Sequence, residues 1–381
     1  MYLPHISGVT NHMRLYKRYF EARGHEVFLF TFGATDFADD EPNIVRSPAL
    51  AWGNTGWNLG LNYNKRTRNL IPSLDIAHVH HPFQSGRLAA PQLKKHGIPI
   101  VFTNHSRYDL SADAYARAVP RALRHRVINS IFHQFTKDCA LIVAPSNYTA
   151  NWLNSTKNGL PVRVIHNGIE TAGDFTNEEN TAECVLRTPT PTRADFGFRD
   201  DDFVLCSVGR VAPEKNFFSM LDEFLRAANH NPQLRLLVIG DGPDLNKARA
   251  IAKASQHASS IVFAGQIPYE ELPAIETFSD AFLTASLIES FGLAVVEALT
   301  AGLPVVAIKA AGIAENVTPG VSGLLADTNE PGALVTEILT LADDKHLRNK
   351  LSEGARQEAQ RFALKYTAGT LLSCYEELLG V

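Results

Sequence analysis

Cysteine is scarce and scattered: Cys139, Cys184, Cys206 and Cys374 lie far apart in 381 residues, with no CxxC pair. That excludes a disulfide framework and the usual zinc spacings, and the thiols read as reduced, structural groups of a cytoplasmic protein. No apolar run approaches the ~18 residues that cross a bilayer, so no spanning helix is expected. The opening MYLPHISGVTNHM has no basic stretch followed by an apolar core, so no signal peptide is visible. A GxGxxG fingerprint is lacking too, which disfavours a nicotinamide dehydrogenase. There is no low-complexity tract and no short-period repeat. No nucleic-acid partner and no cofactor are expected. The length exceeds what one core usually supports, so two domains are the default.

Acidic residues are thin in the first half. Residues 1–165 hold 19 Lys and Arg against 10 Asp and Glu, a balance of +9, whereas residues 166–381 hold 17 against 30, a balance of −13. Ten of the fourteen histidines also fall in the first half. Either the first half meets an anionic partner, or the two halves face one another through opposite charges. No acidic residue lies between Asp113 and Asp138, yet Arg117, Arg121, Arg124, Arg126 and Lys137 are there. Val119, Leu123, Val127, Ile128, Ile131, Phe132 and Phe135 give residues 114–137 an apolar side. Such a helix lies on an anionic membrane surface or packs half-buried against its own sheet; both readings stay open.

Two series of alternating strand and helix signals argue for two parallel α/β domains. In the first, a helix around 11–23 ends at Gly24, and strand-like runs follow at 26–31, 76–80, 98–103, 140–144 and 162–165. Helices fit 85–96, 114–137 and 147–154. The Thr-, Pro- and Asn-rich stretch 167–202 reads as a connection. The second series begins at Phe203 and continues with strands near 234–239, 260–263, 281–284, 304–307 and 323–325. The expected divisions are 1–166, 167–202, 203–360 and a C-terminal helix over 361–381 that packs back toward the first domain. A Rossmann-like half opens strand, glycine loop, helix. Here the chain opens in the loop, so the expected first strand is absent and translation is expected to start upstream, or the chain to be truncated.

The second half carries the densest chemistry. Glu289 and Glu297 stand eight residues apart, about 12 Å at 1.5 Å per helical residue. Between them Ser290, Phe291, Gly292 and Leu293 open a helix whose free N–H groups form an anion site. The span matches a sugar, a diphosphate and a ribose laid end to end; the bland reading is two unrelated solvated glutamates. After the first strand, Gly209-Arg210-Val211-Ala212-Pro213-Glu214-Lys215-Asn216 puts two cations where open α/β sheets bind ligands. Gly240 and Gly242 form a turn at the next strand end that permits close approach of a ligand. Asp200-Asp201-Asp202 has the look of a metal-binding DxD but reads as a solvated turn.

GRVAPEKN, VIGDGP, FAGQIP and SLIESFGLAVVEALTAGLPVVA, in that order, resemble glycosyltransferase family 4, retaining enzymes of the GT-B fold. SGVTNHM, HVHHPF, FTNHS, APSNYT and VIHNGIE extend the resemblance over essentially the whole chain. It implies an α/β protein of two Rossmann-like domains facing across a cleft, an acceptor-side N-terminal one and a C-terminal one that binds a nucleotide sugar. Arg210 and Lys215 would neutralise the donor diphosphate, with Ser290 to Leu293 completing the clamp and Gly209, Asn216, Gly240 and Gly242 lining it. Glu289 would hold the transferred sugar and Glu297 the ribose; Gly8 would let the N-terminal backbone approach the diphosphate, His105 would contact the sugar near the acceptor, and Asn167-Gly168 would lie at the hinge. Metal is not required, because fixed cations replace it. UDP-glucose is the expected donor, with GDP-mannose next. HHPFQSG and FTNHSRYD are similar to the diacylglycerol glucosyltransferase branch, although NHSRYD departs from a YHTRYE-like form, so the acceptor is a lipid or a small molecule. A lipid acceptor would place the protein peripherally on the inner face of the plasma membrane. A sugar-nucleotide epimerase on the same fold and a non-catalytic nucleotide-sugar-binding protein are the alternatives.

Overall fold

The computed structural model describes residues 2–3, 7–33, 35–52, 57–110, 120–156, 159–171, 174 and 191–381. The chain divides into two compact units, Met1–Phe175 together with Phe362–Val381, and Thr176–Arg361. Of the stretch read as a connection, residues 172–173 and 175–190 lie outside the described residues, as do Cys184, Asp113, Arg117 and Val119.

The first unit begins with helix Gly8–Glu21, whose N-cap Ser7 accepts the Thr10 N–H at 3.2 Å. Its parallel pair β1 (Leu29–Phe32) and β2 (Ile44–Ser47) is followed by an antiparallel pair, β3 (Leu50–Trp52) and β4 (Trp57–Leu59). Then β5 (Ala77–Val79), β6 (Ile100–Thr103), β7 (Leu141–Ala144) and β8 (Val162–Val164) form a four-stranded parallel sheet in sequence order. Every residue of β6 and β7 is buried, the pattern of strands covered on both faces. Phe132 and Phe135 of helix Arg121–Thr136 pack with Phe102 and Ile142 on one side. Tyr16 and Phe20, with Leu371 and Tyr375 of helix Leu364–Leu379, pack with Val101, Leu141 and Val143 on the other.

Three differences from the sequence reading have local causes. β2 and the β3–β4 pair are too short and too mixed in polarity to announce themselves. The first helix starts at Gly8 rather than near 11 because Ser7 supplies the cap. The expected helix over 114–137 is interrupted at Pro120, extended at φ −53° and ψ 134°, after which helix Arg121–Thr136 runs; lacking an N–H, proline cannot donate within a helix, and residues 114–119 lie outside the described residues.

The second unit holds one six-stranded parallel sheet. Its strands are β9 (Phe203–Val208), β10 (Leu234–Ile239), β11 (Ile261–Gly265), β12 (Ala281–Thr284), β13 (Val305–Ile308) and β14 (Gly323–Ala326). The order is β11-β10-β9-β12-β13-β14, so β9, the first in sequence, is central. Along β9 the side chains alternate between faces: Leu205 joins the core with helix Phe217–Ala228, and Val204 and Cys206 join the core with Val295 and Leu299. Asp200 and Asp201 are exposed, as a solvated turn requires, but Asp202 is buried and pairs with Arg235 at 2.7 Å. That buried pairing corrects the reading of all three as solvated; Asp202 also accepts the Arg199 N–H at 2.8 Å, which fixes the turn before β9.

Candidate active site

In the second unit the winding reverses at β9, between β10 on one side and β12 on the other, and ligands of open α/β sheets bind beyond the strand ends at such a switch point. The loops leaving β9 and β12 carry Lys215 and Glu289, and these meet: Lys215 Nζ donates to Glu289 Oε1. Both side chains are partly buried, at 34% and 20% exposure, so water reaches the pair without flooding it. Val211 and Ala212, each fully buried, anchor the β9 loop in the core. Asn216, left-handed at φ 51°, bonds the Ala285 carbonyl and the Asn329 side chain, each at 3.0 Å, and so ties the two loops together.

The turn Ser290–Leu293 follows directly. Gly292, at φ 85°, leads into helix Leu293–Ala301; the opening N–H groups of a helix have no carbonyl a turn earlier, and here Val295 N–H is the first to bond, to Gly292 O at 3.0 Å. Its carbonyls are fixed from behind: Gly312 N–H donates to Glu289 O at 2.9 Å and Asn316 Nδ2 donates to Phe291 O. A Cβ at Gly312 would lie 2.9 Å from Phe291 N, so only glycine fits. Glu297 is the single ionisable residue of this helix. Burial raises its carboxyl to about 7, partly offset by a hydrogen bond from Tyr269.

Other expected residues take different places. Arg210 turns to Glu214, at 3.2 Å, with 59% of its side chain exposed. Gly209, with φ 145°, and Gly240 approach one another: a Cβ on Gly240 would lie 2.0 Å from Gly209 O, and one on Gly242 2.3 Å from Val211 O. The close neighbour of these glycines is therefore the chain's own β9 loop.

In the first unit, Gly8 is the exposed first residue of its helix. His105 follows β6, and its Nε2 lies 2.9 Å from Nδ1 of His80, just after β5. The His12 ring stands 5.1 Å from that of His105, and His78 bonds Thr103 at 2.7 Å and the Tyr375 hydroxyl. Burial lowers all four histidines, His105 to about 4 and His78 to about 3, so the cluster is neutral at pH 7. Nitrogens of His12, His80 and His105 lie within 4.8 Å of one another, a spacing that could admit a metal. The His80–His105 hydrogen bond needs a proton where that metal would sit, which disfavours the site. Arg107 pairs with both oxygens of Asp109, at 2.9 and 2.7 Å, and donates to Tyr148 at 2.8 Å, which fixes the loop beyond His105.

Sequence reading missed Gly312, Asn316, Asn329, His12 and His80 as parts of these sites. The two histidines were legible in SGVTNHM and HVHHPF; the others act through partners distant in sequence.

Residues 6–172 match the profile described as Glycosyltransferase Family 4, and residues 190–358 that described as Glycosyl transferases group 1. The chain belongs to glycosyltransferase family 4. This glycosyltransferase is 29% identical to alpha-monoglucosyldiacylglycerol synthase of Acholeplasma laidlawii, over 99% of its own length and 95% of the relative's. The synthase of the same name from Streptococcus pneumoniae is also 29% identical, over 80% of this chain and 69% of that one. Among solved structures, sucrose-phosphate synthase of Thermosynechococcus elongatus aligns with a TM-score of 0.77 at 18% identity, over 98% and 94% of the two chains. The fold of this glycosyltransferase is GT-B. Among the described residues, no helix is long and apolar enough to cross a membrane.

Proposed function

We propose that this glycosyltransferase moves a glucosyl group from UDP-glucose to a hydroxyl of a diacylglycerol-type lipid, with retention and without a metal. The observation that carries the reading is the Lys215–Glu289 pair at the β9/β12 switch point, immediately before the leading turn of helix Leu293–Ala301. A donor diphosphate takes over Lys215 and the first-turn N–H groups, and Arg210 swings from Glu214 to join them. Glu289, released from Lys215, accepts from hydroxyls of the sugar, and Glu297 from the ribose. As the anomeric C–O bond breaks, its electron pair stays on the phosphate oxygen, where these fixed positive groups stabilise it. The acceptor oxygen forms the new bond on the same face and passes its proton to the leaving phosphate oxygen. Neutral His105, in the first unit, offers a hydrogen bond to a substrate hydroxyl.

The names of the two synthases favour glucose and a diacylglycerol acceptor. The basic helix supports work at an anionic surface: Leu123 and Val127 are 52% and 48% exposed, with Arg121 and Arg126 exposed on the same stretch. The protein then acts peripherally on the cytoplasmic face of the membrane. The test supplies dioleoylglycerol in anionic vesicles with UDP-glucose and EDTA. An α-linked glucosyl lipid is expected. A β-linked product, loss of activity in EDTA, a preference for GDP-mannose, or donor binding without transfer would each contradict the corresponding part.

A further inference from the structure

The second unit buries a carboxylate that the proposed reaction does not use. Glu223 lies on helix Phe217–Ala228, about two helical turns beyond Asn216 and so on the same face. Its side chain is 2% exposed, whereas the neighbouring Asp222 is exposed and pairs with Arg226 at 2.7 Å. A lone charge at that depth is costly, and both oxygens of Glu223 are engaged. Oε1 accepts the Gly332 N–H at 2.5 Å and Oε2 the Leu334 N–H at 2.7 Å. These groups open helix Val335–Asp343, and a helix cannot pair such N–H groups with its own carbonyls. The N–H between them, on Ala333, bonds Glu330 O at 3.0 Å. Gly332 takes φ 94°, a turn that glycine makes without strain.

The segment so held is the loop that leaves β14. At one end Leu334 is wholly buried, in the core with Leu221, Phe224 and Ile338, while residues 327–330 at the other end are exposed. From that exposed part Asn329 reaches the β9 loop: its Oδ1 accepts from Asn216 Nδ2 at 3.0 Å and from Ser219 Oγ at 3.5 Å. Asn216, left-handed at φ 51°, follows Lys215 directly, so what fixes Asn216 fixes the point from which the lysine side chain leaves. Helix Phe217–Ala228 therefore grips the β14 loop twice, through Asn216 at its start and through Glu223 further along. Exposed hydrogen bonds exchange with water at little net gain. Asn329 keeps its place because its loop does, and Glu223 is what ties that loop to the helix.

We propose that Glu223 is a positioning residue for Lys215, acting through the β14 loop and the Asn329–Asn216 bond. This role rests on the reading of Lys215 as the cation that meets the donor diphosphate. Without the clamp the loop loosens, water replaces Asn329, and Asn216 is free to leave its left-handed conformation. Lys215 is then held less firmly at the site, and the donor binds more weakly although Glu223 touches no part of it.

Calorimetric titration of UDP-glucose into the full chain, with a melting curve for each variant, tests this. Glu223→Gln keeps the volume but turns an amide toward one of the two N–H groups. It should melt lower and bind about three- to tenfold more weakly, the scale of one lost hydrogen bond. Asn329→Ala, at an exposed position, should keep the wild-type melting temperature and show a loss of the same size. The double variant should bind no more weakly than the weaker single one, because both break one chain of contacts. Neither substitution should weaken binding further when added to Lys215→Ala. If Asn329→Ala binds like the wild type, if the two losses multiply, or if either persists beside Lys215→Ala, the positioning role is overturned while the donor site stands. Lys215→Ala binding as tightly as the wild type would overturn the site itself and this role with it. Should Glu223→Gln fail to fold, Glu223→Asp, which keeps the charge but is too short to reach both N–H groups, carries the same expectations and the same refutations.

Discussion

The two units are wound from the same kind of parts, yet their sheets differ. In the second, β9 pairs with β10 and β12, and the sheet runs unbroken through six strands. In the first, β1–β2 and β5–β8 form separate sheets beside one cavity. The consequence lies at the strand ends. The β9 and β12 loops are locked to each other through Asn216 and to their support through Gly312 and Asn316, which is what holds Lys215 against Glu289. The His105 cluster is held at β5 and β6, but the ring nitrogens of His12, beside His80 and His105, have no hydrogen-bond partner among the described residues. A preorganised charge site and a less constrained neutral one result.

The sharpest way to test this contrast is to remove charge from the rigid site. Lys215→Ala or Glu289→Gln should lower kcat/KM by about 10²–10³-fold, the usual scale for losing one transition-state stabiliser, with an unchanged melting temperature. His105→Ala should cost less, about 3- to 10-fold, as expected for one neutral hydrogen bond worth about 0.5–1.5 kcal/mol. If His105→Ala proved the more damaging, the ranking of the two units would be wrong.

Gly240→Val targets the support rather than the chemistry. The new Cβ would meet Gly209 O at 2.0 Å with φ at 134°, and the strain, of the order of 1–3 kcal/mol, should lower the urea midpoint and loosen the β9 loop. An unaltered midpoint would show that the two loops part without cost.

Acid and base should act oppositely on the two units. In the first, His105 is lowered to about 4 and His78 to about 3, so the unfolded chain binds more protons and stability falls as pH drops from about 6.5 toward those values. In the second, Glu297 is raised from 4.5 to about 7; the folded form binds the proton more tightly, so its contribution declines as pH rises through that window. Urea unfolding followed from pH 4 to 8 should find the acid slope reduced in His105→Asn and the opposing slope removed in Glu297→Gln. The smallest effect should come from Leu123→Asp with Val127→Asp, which should weaken sedimentation with anionic vesicles without changing turnover of a soluble acceptor.

Much of this was legible in the sequence where burial is complete. The runs at β9, β10, β12 and β13 are apolar apart from Ser207, Arg235 and Thr284, so they stand out in the sequence, and Lys215 and Glu289 lie in the loops after β9 and β12. The rest depends on partners that sequence does not place together. Nothing near Asn216 announces that its amide reaches Ala285, and nothing in Gly240 says that its close neighbour is Gly209 rather than a ligand. Arg210 read as a phosphate ligand because of its spacing, whereas its resting partner, Glu214, lies a single turn away. Short strands such as β2 and β3 carry too few residues for their period to stand out against the loops around them.

The central claim is that Lys215, Glu289 and the leading turn of helix Leu293–Ala301 form a nucleotide-diphosphate-sugar site. Calorimetric titration of UDP-glucose into the wild-type protein and Lys215→Ala tests it most directly. The account predicts saturable binding by the wild type and at least tenfold weaker binding, about 1.4 kcal/mol, by a Lys215→Ala variant that remains folded. Equal affinity in the two proteins would contradict it.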